Sequence, residues 1–316
     1  MPTLFAVFLA IFVFQISANA AEKVRIGFAP GASGIYFPLA QKMGFLKEEG
    51  IEAEVIRLSS GVAVPALASG DADYYTAASA LRAALQGLPI KIVASYLQGN
   101  DQTLVTRSDI RSVRELKGNT VAIGSPGGNP DRNARLMLRH FGLEPDKDVK
   151  LSPGGLPEGR LARLQQGLID ATVVPVPLDF RAKKMGLNVL VRAYELFPSP
   201  GSGVVTTVKK IKEKPDEIKR VIKAGMKSSR YIKSNRDGTI QFLMDWQKID
   251  SEIATATYEY LAKASNDDGS ASEKGLRLLI EEIKELAKVN REVAMSDLAD
   301  LSILAVAQKE LAIKGK

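Results

Sequence analysis

The 316-residue chain has no cysteine and a single histidine, His140. Without Cys there is no disulfide framework, no thiolate metal site, no cysteine nucleophile and no lipidated cysteine. One His cannot build a His-rich metal cluster, and no Cys–His pair exists. His140 sits at a helix end, where a partly positive ring is favourable without any function. It has no Ser or Cys partner at a readable spacing, so it is not expected to act as a base. There is no phosphate-loop pattern of glycines followed by Lys-Ser/Thr. Gly27 to Gly34 lacks dinucleotide spacing and the acidic residue expected after the next strand. Asp71, Asp73 and Asp101 are separated acids in turns and do not form a calcium loop. No cofactor or metal is implied.

The first twenty residues also lack any charged side chain. Their apolar run, Leu4 to Phe14, is too short to span a bilayer as a helix. Small residues at Ala18 and Ala20 fit a cleavage site, so residues 1–20 read as a signal peptide and the rest as an exported chain. No Lys or Arg precedes the apolar run, which departs from the usual pattern. With no lipidatable Cys and no later membrane-length apolar stretch, the mature protein is expected to be soluble and periplasmic. Its length suffices to supply stability from the core alone.

Strands and helices then alternate. Val24 to Phe28, Ala53 to Leu58, Ala72 to Thr76 and Ile90 to Tyr96 read as strands. Helical spacing falls between them, over Phe37 to Glu48, up to Gly70, and over Ala77 to Leu85. The pattern restarts after Ser112 to Leu116, with strands at Thr120 to Gly124, Lys147 to Leu151, Ala171 to Val174 and Val189 to Val191. Helices are expected from Pro130 to Phe141, Glu158 to Gly167 and Phe180 to Met185. The strand Val204 to Val208 leads into a helix-rich remainder. This is the signature of two mostly parallel α/β units and a helical tail.

Five segments resemble the solute-binding proteins of ABC importers, in the group that includes nitrate, sulfonate, taurine and thiamine-pyrimidine binders. They are VRIGFAPGASGIYFPLAQKMGFLKEEGIEAEV (24–55), LASGDADYYTAAS (67–79), IRSVRELKGNTVAIGSPGGNPD (110–131), LQQGLIDATVVPVPLDFRAKKMGLNVL (164–190) and KEKPDEIKRVIKAGMKSSRYIKSN (212–235). The resemblance implies a type II periplasmic binding protein fold, with two α/β lobes joined by a two-stranded hinge. Lobe one would hold residues 22–106 and 205–316, and lobe two residues 107–204, with crossovers near Val105-Thr106 and Gly203-Val204. Ligand would bind between the lobes, and closure would present a surface to an ABC permease.

In such sheets ligands sit beyond the carboxyl ends of the strands, near helix N-termini. Five loops qualify, and they supply the candidate ligand contacts. Ser33, Gly34 and Tyr36 belong to the first, Ser60 and Gly61 to the second, and Thr76, Ala77 and Ser79 to the third. Ser125, Gly127, Gly128 and Asn129 form the fourth, where paired glycines can bring bare backbone to a ligand. Pro177 closes the fifth, which starts at Pro175. Asn129 before Pro130 also reads as an N-cap. None of the five loops contains Lys or Arg. A strongly anionic ligand would need a charge from outside them; Arg132 and Arg135 are nearest in sequence, Arg135 is the candidate contact by reaching back one turn, and which of the two faces the cleft stays open. Phe28, Tyr36, Phe37, Tyr74, Tyr75 and Tyr96 lie close to these loops, and Tyr stacks and hydrogen-bonds at once. The expected ligand is small, neutral to weakly anionic, with some apolar or planar surface. The Tyr74-Tyr75 pair must point to opposite faces, so only one can face it.

The formal charge is +7. Eleven basic and three acidic side chains fall between Lys209 and Arg236, so the surplus belongs to one helix and its lead-in. Its simplest meaning is a solvated helix face; nucleic acid is not expected as a partner. The expected function is a monomeric, non-enzymatic receptor for import. The alternatives are an enzyme of the thiamine-pyrimidine-synthase-like branch, which zero Cys opposes, and a receptor serving a sensor or another transporter.

Overall fold

Val24, Ile26 and Phe28 alternate along the first strand and are buried, so one side faces a core. In the computed structural model, described over residues 22–197, 200–287 and 290–313, that strand, β1 (Glu22–Phe28), pairs in parallel with β2 (Ile51–Arg57) and β3 (Tyr74–Ala77). The signal-peptide segment 1–20 lies outside the described residues. Helices α1 (Tyr36–Lys42) and α2 (Phe45–Glu48) join β1 to β2. The single helix expected over Phe37 to Glu48 is broken at Gly44, whose φ of 79° is left-handed and ends α-helical geometry. Next come α3 (Ser60–Ser69), α4 (Leu81–Leu85) and β4 (Ile90–Gln98).

The second sheet holds β5 (Gln102–Thr106), β6 (Thr120–Ile123), β7 (Lys150–Pro153), β8 (Ala171–Pro175) and β9 (Asn188–Arg192) in the order β7-β6-β8-β5-β9. Its helices are α5 (Asn129–His140), α6 (Pro157–Gln165), α7 (Leu178–Lys184) and α8 (Ala193–Leu196). The chain then returns through β10 (Pro200–Thr207), which runs antiparallel between β3 and β4 and completes the first sheet in the order β2-β1-β3-β10-β4.

Both crossovers are displaced from their expected places. Residues 102–106 hydrogen-bond to β8 and β9, so they belong to the second sheet. Residues 200–204 pair with β4, so they belong to the first. The chain therefore leaves the first sheet at Gly99, whose φ is 97°, and rejoins it at Pro200. A short apolar strand does not announce which sheet will bond it, and both boundaries slid for that reason.

The tail is helical: α9 (Val208–Glu213), α10 (Pro215–Ser234), α11 (Arg236–Gln247), α12 (Ser251–Ala264), α13 (Glu273–Ala287), α14 (Met295–Leu298) and α15 (Ser302–Ile313). Basic helix α10 packs on α1, α2 and α15, and its Ile218, Ile222 and Ile232 are fully buried. Its cations are not simply solvated. Lys223 is itself buried and pairs with Glu49 at 2.8 Å and Glu310 at 3.0 Å. Lys227 reaches Glu48 and Glu49, Lys219 reaches Glu310, and Lys210 before the helix bridges Asp73 and Glu217. Acids from α2, α10 and α15 and from the turns beside β3 and α2 thus answer much of the local positive charge. Among the described residues no helix is long and apolar enough to cross a membrane, and no acidic or His group could hold a metal ion.

Candidate functional site

The two sheets present their carboxyl ends to each other, and a cleft of about 180 Å³ lies there. Ala29 and Pro30 line it after β1, Ser59 and Ser60 after β2, and Tyr75 and Ala77 from β3. The second unit contributes Gly124, Ser125, Gly128 and Asn129 after β6, Gly155 to Pro157 after β7, and Pro175 at the end of β8. The N-termini of α3, α5 and α6 meet at this place, where free N–H groups favour an anion or a carbonyl oxygen. Ligand sites usually measure roughly 300–1,000 Å³, so this one suits a small molecule.

Contacts between the units surround the cleft. Arg57 pairs with Glu158 at 2.5 Å, and Arg82 Nη1 donates to the Pro126 carbonyl at 3.2 Å. Arg132 faces Glu282 of α13 at 3.3 Å, both largely buried. The Ala32 N–H donates to the Val176 carbonyl at 2.6 Å. Asn100, in the first crossover, and Asn129, at the start of α5, exchange two amide hydrogen bonds of 2.7 and 2.9 Å.

Of the candidate contacts, Ser33, Ser60, Ala77, Ser125, Gly128 and Asn129 lie in the cleft wall. Others lie beside it and serve its shape. Thr76 Oγ1 accepts a hydrogen bond from the Ala29 N–H at 3.0 Å and pins the first loop. Gly34 leaves no room for a side chain, since a Cβ there would stand 2.1 Å from the Ala29 carbonyl oxygen. Gly61 faces Ser125 across the cleft, with space for a Cβ 3.6 Å from the Ser125 hydroxyl. Gly127 has a φ of 72° and packs on the Arg82 guanidinium. Ser79 falls in the tight turn Ala78–Ala80, and its side chain lies outside what is described. Pro177 precedes α7, and Pro175 occupies the wall instead.

Tyr36 and Arg135 do not line the cleft. Tyr36 is fully buried beneath its loop. Its hydroxyl donates to the Tyr96 carbonyl at 3.0 Å and shares a 2.8 Å bond with Ser265. Arg135 turns away to Asp131 at 2.8 Å and Asp146 at 2.6 Å, because i,i+4 spacing on α5 puts Asp131 within reach. Asn129 is the first residue of α5 and not its cap; its Oδ1 accepts from Asn100, Arg132 and Asn133. Of the aromatic residues near the loops, only Tyr75 lines the cleft, its hydroxyl bonded to Ser60 and to the Leu58 carbonyl. Tyr74 points the other way, to Glu217. His140 packs edge-on against Phe141 and Phe197.

Sequence reasoning missed Arg160, Gln102 and the loop after β7. Arg160 is 1% exposed and contributes to the cleft wall. Its guanidinium donates to Thr172 Oγ1 at 3.1 Å, to the Val173 carbonyl at 2.7 Å and to the Gly155 carbonyl. No carboxylate among the described residues pairs with it. Burial lowers its pKa from 12.5 to about 10, against a smaller upward pull from Glu158, so the group stays charged at neutral pH. The one available signal was an Arg in the first turn of a helix entered through Gly154-Gly155. The strand before it, expected to end at Leu151, hid the loop.

Solved structures share this architecture. A Bordetella bronchiseptica RB50 protein superposes with a TM-score of 0.80 at 17% identity, covering 93% of this chain and 99% of its own. The periplasmic nitrate-binding protein NrtA from Synechocystis PCC 6803 gives 0.77 at 16%, with coverages of 93% and 90%. The periplasmic aliphatic sulphonate binding protein SsuA from Escherichia coli gives 0.71 at 18%, with 88% and 92%. The two sheets, their crossovers and the cleft between them are those of the periplasmic binding protein fold. Within that class the assignment narrows through the sequence: residues 30–239 match the model of the NMT1/THI5-like family, and the chain belongs to that family. No curated protein sequence matches it.

Proposed function

We propose that this protein is an exported solute receptor, which binds a small anionic organic molecule between its two α/β units and delivers it to an ABC import permease. The observation that carries this reading is Arg160, a buried cation in the cleft wall with no carboxylate partner among the described residues. An isolated buried charge is costly, and an anion from outside would balance it. The ligand is therefore more firmly anionic than the loop compositions imply. Its charge is met from α6 and the surrounding N–H groups and hydroxyls. Family membership and the nitrate- and sulphonate-binding neighbours support the same class of ligand. Lobes of 22–98 with 200–313, and of 102–197, would close on it as a monomer.

The test begins with mass spectrometry of small molecules that co-purify with the exported protein. A thermal-shift panel of sulfonates, carboxylates and nitrate follows, each beside an uncharged analogue of similar shape. A cognate anion at 100 times its Kd should stabilise by about 2.7 kcal/mol, and its uncharged analogue should not. Preference for the uncharged member, or chemical conversion of any bound compound, would overturn the reading. Stimulation of a reconstituted importer's ATPase by the loaded protein would separate import from sensing.

A further inference from the structure

A second feature of the cleft is an acceptor with nothing to accept. Gln102 is the first residue of β5, between β8 and β9, and is 3% exposed. Its side chain lines the cleft. The amide is oriented by its neighbour, since Nε2 donates to Asp101 Oδ1 at 2.9 Å. Asp101 is buried too, and its other oxygen accepts the Ser33 N–H at 3.1 Å. An amide nitrogen so held by a carboxylate fixes which end is the oxygen. Gln102 Oε1 is then left without a donor among the described residues, a costly state for a buried carbonyl unless something else supplies the hydrogen.

We infer that the ligand carries a hydrogen-bond donor as well as its anionic group, and that Gln102 is the residue that reads this donor. The inference rests on the anion-receptor reading above and deepens it. The cleft is bipolar. Arg160 holds one end, bonded to Thr172 and Val173 on β8. The Asp101–Gln102 pair holds the other, with Gln102 opposite Pro175 on the same strand. Two residues along a strand span about 7 Å, so a compact molecule reaches both. A hydroxyl or ammonium group suits Gln102 Oε1 with Asp101 behind it, and an acidic headgroup suits the Arg160 end. A simple anion would satisfy Arg160 and leave Gln102 unmet. A site built to hydrogen-bond a ligand N–H or O–H discriminates strongly against the analogue that lacks it.

The probes are matched sets: propane-1-sulfonate against its 3-hydroxy and 3-amino derivatives, and butanoate against 4-hydroxy- and 4-aminobutanoate, titrated calorimetrically into the mature protein. The hydroxy members isolate the hydrogen bond from added charge. With one headgroup or the other, the donor-bearing members should bind at least about tenfold more tightly than the plain anion. In Gln102→Leu that ratio should fall to about one. Gln102→Met, close in volume, repeats the measurement if the Leu variant does not fold. Equal binding of plain and donor-bearing members by the unmodified protein would mean that solvent supplies the hydrogen, and would overturn the inference alone. Survival of the preference in the Gln102 variants would do the same. If no member of either set and no nitrate binds, the anion-receptor reading fails and the inference falls with it.

Discussion

Replacing Arg160 by Met separates the charge of the cleft from its architecture. Folding effects should partly cancel. The depression of the Arg160 pKa from 12.5 to about 10 corresponds to roughly 3 kcal/mol against the buried charge, at about 1.36 kcal/mol per unit. Removing the guanidinium relieves that. It also strips a donor from the carbonyls of Gly155 and Val173 and from Thr172 Oγ1, at about 1–3 kcal/mol for each group left buried and unmet. Thr172 suffers least, because its hydroxyl still donates to the Ala122 carbonyl at 3.0 Å. The two carbonyls together cost about 2–6 kcal/mol against the roughly 3 relieved, so the fold should shift by no more than about 3 kcal/mol. Binding has no such compensation. A unit charge about 5 Å from the ligand anion, at an effective dielectric of ~20, contributes about 3 kcal/mol, a loss of roughly a hundredfold in affinity. Arg160→Lys keeps the charge and should retain most of the binding. Titration calorimetry with propane-1-sulfonate at 0.15 M salt, beside a melting curve for each variant, reads both quantities. A Met variant that melts normally and binds within about threefold of the parent would refute the assignment of the cleft's charge to Arg160.

Two further outcomes follow from the packing around the first sheet. Burial alone would raise the pKa of Glu49, but hydrogen bonds from Lys223 and Lys227 overcome it and hold the carboxyl below its usual 4.5; its contribution is present above that value and lost as pH falls through the lowered one. The stability deficit of Glu49→Gln should accordingly be largest at neutral pH and shrink on acidification, and a deficit independent of pH would contradict it. Tyr36→Phe should lower stability by about 1–2 kcal/mol through the lost bonds to Tyr96 and Ser265 while leaving affinity within twofold. A large loss of affinity with an unchanged melting point would return Tyr36 to the cleft.

The legible parts of the molecule were those carried by periodicity and by loops of small residues. Apolar alternation in Val24 to Phe28 and the Gly-rich turn before Pro130 located β1 and α5 and placed Ser33, Ser125 and Gly128 at a strand's carboxyl end. Side-chain direction was legible where strand alternation sets it, as for Tyr74 and Tyr75, but not in loops and on helices. Tyr36 stands one position after a pocket loop, yet its ring turns inward to meet Tyr96 at 5.3 Å. Arg135 and Arg160 are both arginines on helices near glycine-rich loops. Only the tertiary partners separate them: two acids for Arg135, and carbonyls and a hydroxyl for Arg160. Charge counting likewise located the excess on α10 but could not show that Glu49 and Glu310, distant in sequence, answer it.

The antiparallel return of β10 also imposes an order on assembly. Every strand of the second sheet lies within residues 102–192, so that sheet can close on itself as soon as Arg192 is available. The first sheet cannot: β3 and β4 do not touch in its ladder, and the strand that belongs between them comes last, at residues 200–207. Its completion must wait for a partner far along the chain, and such distant pairings are slow to form. A nascent or truncated chain ending before Pro200 would hold one finished half and one gapped half, with the edges of β3 and β4 open to pairing with another molecule.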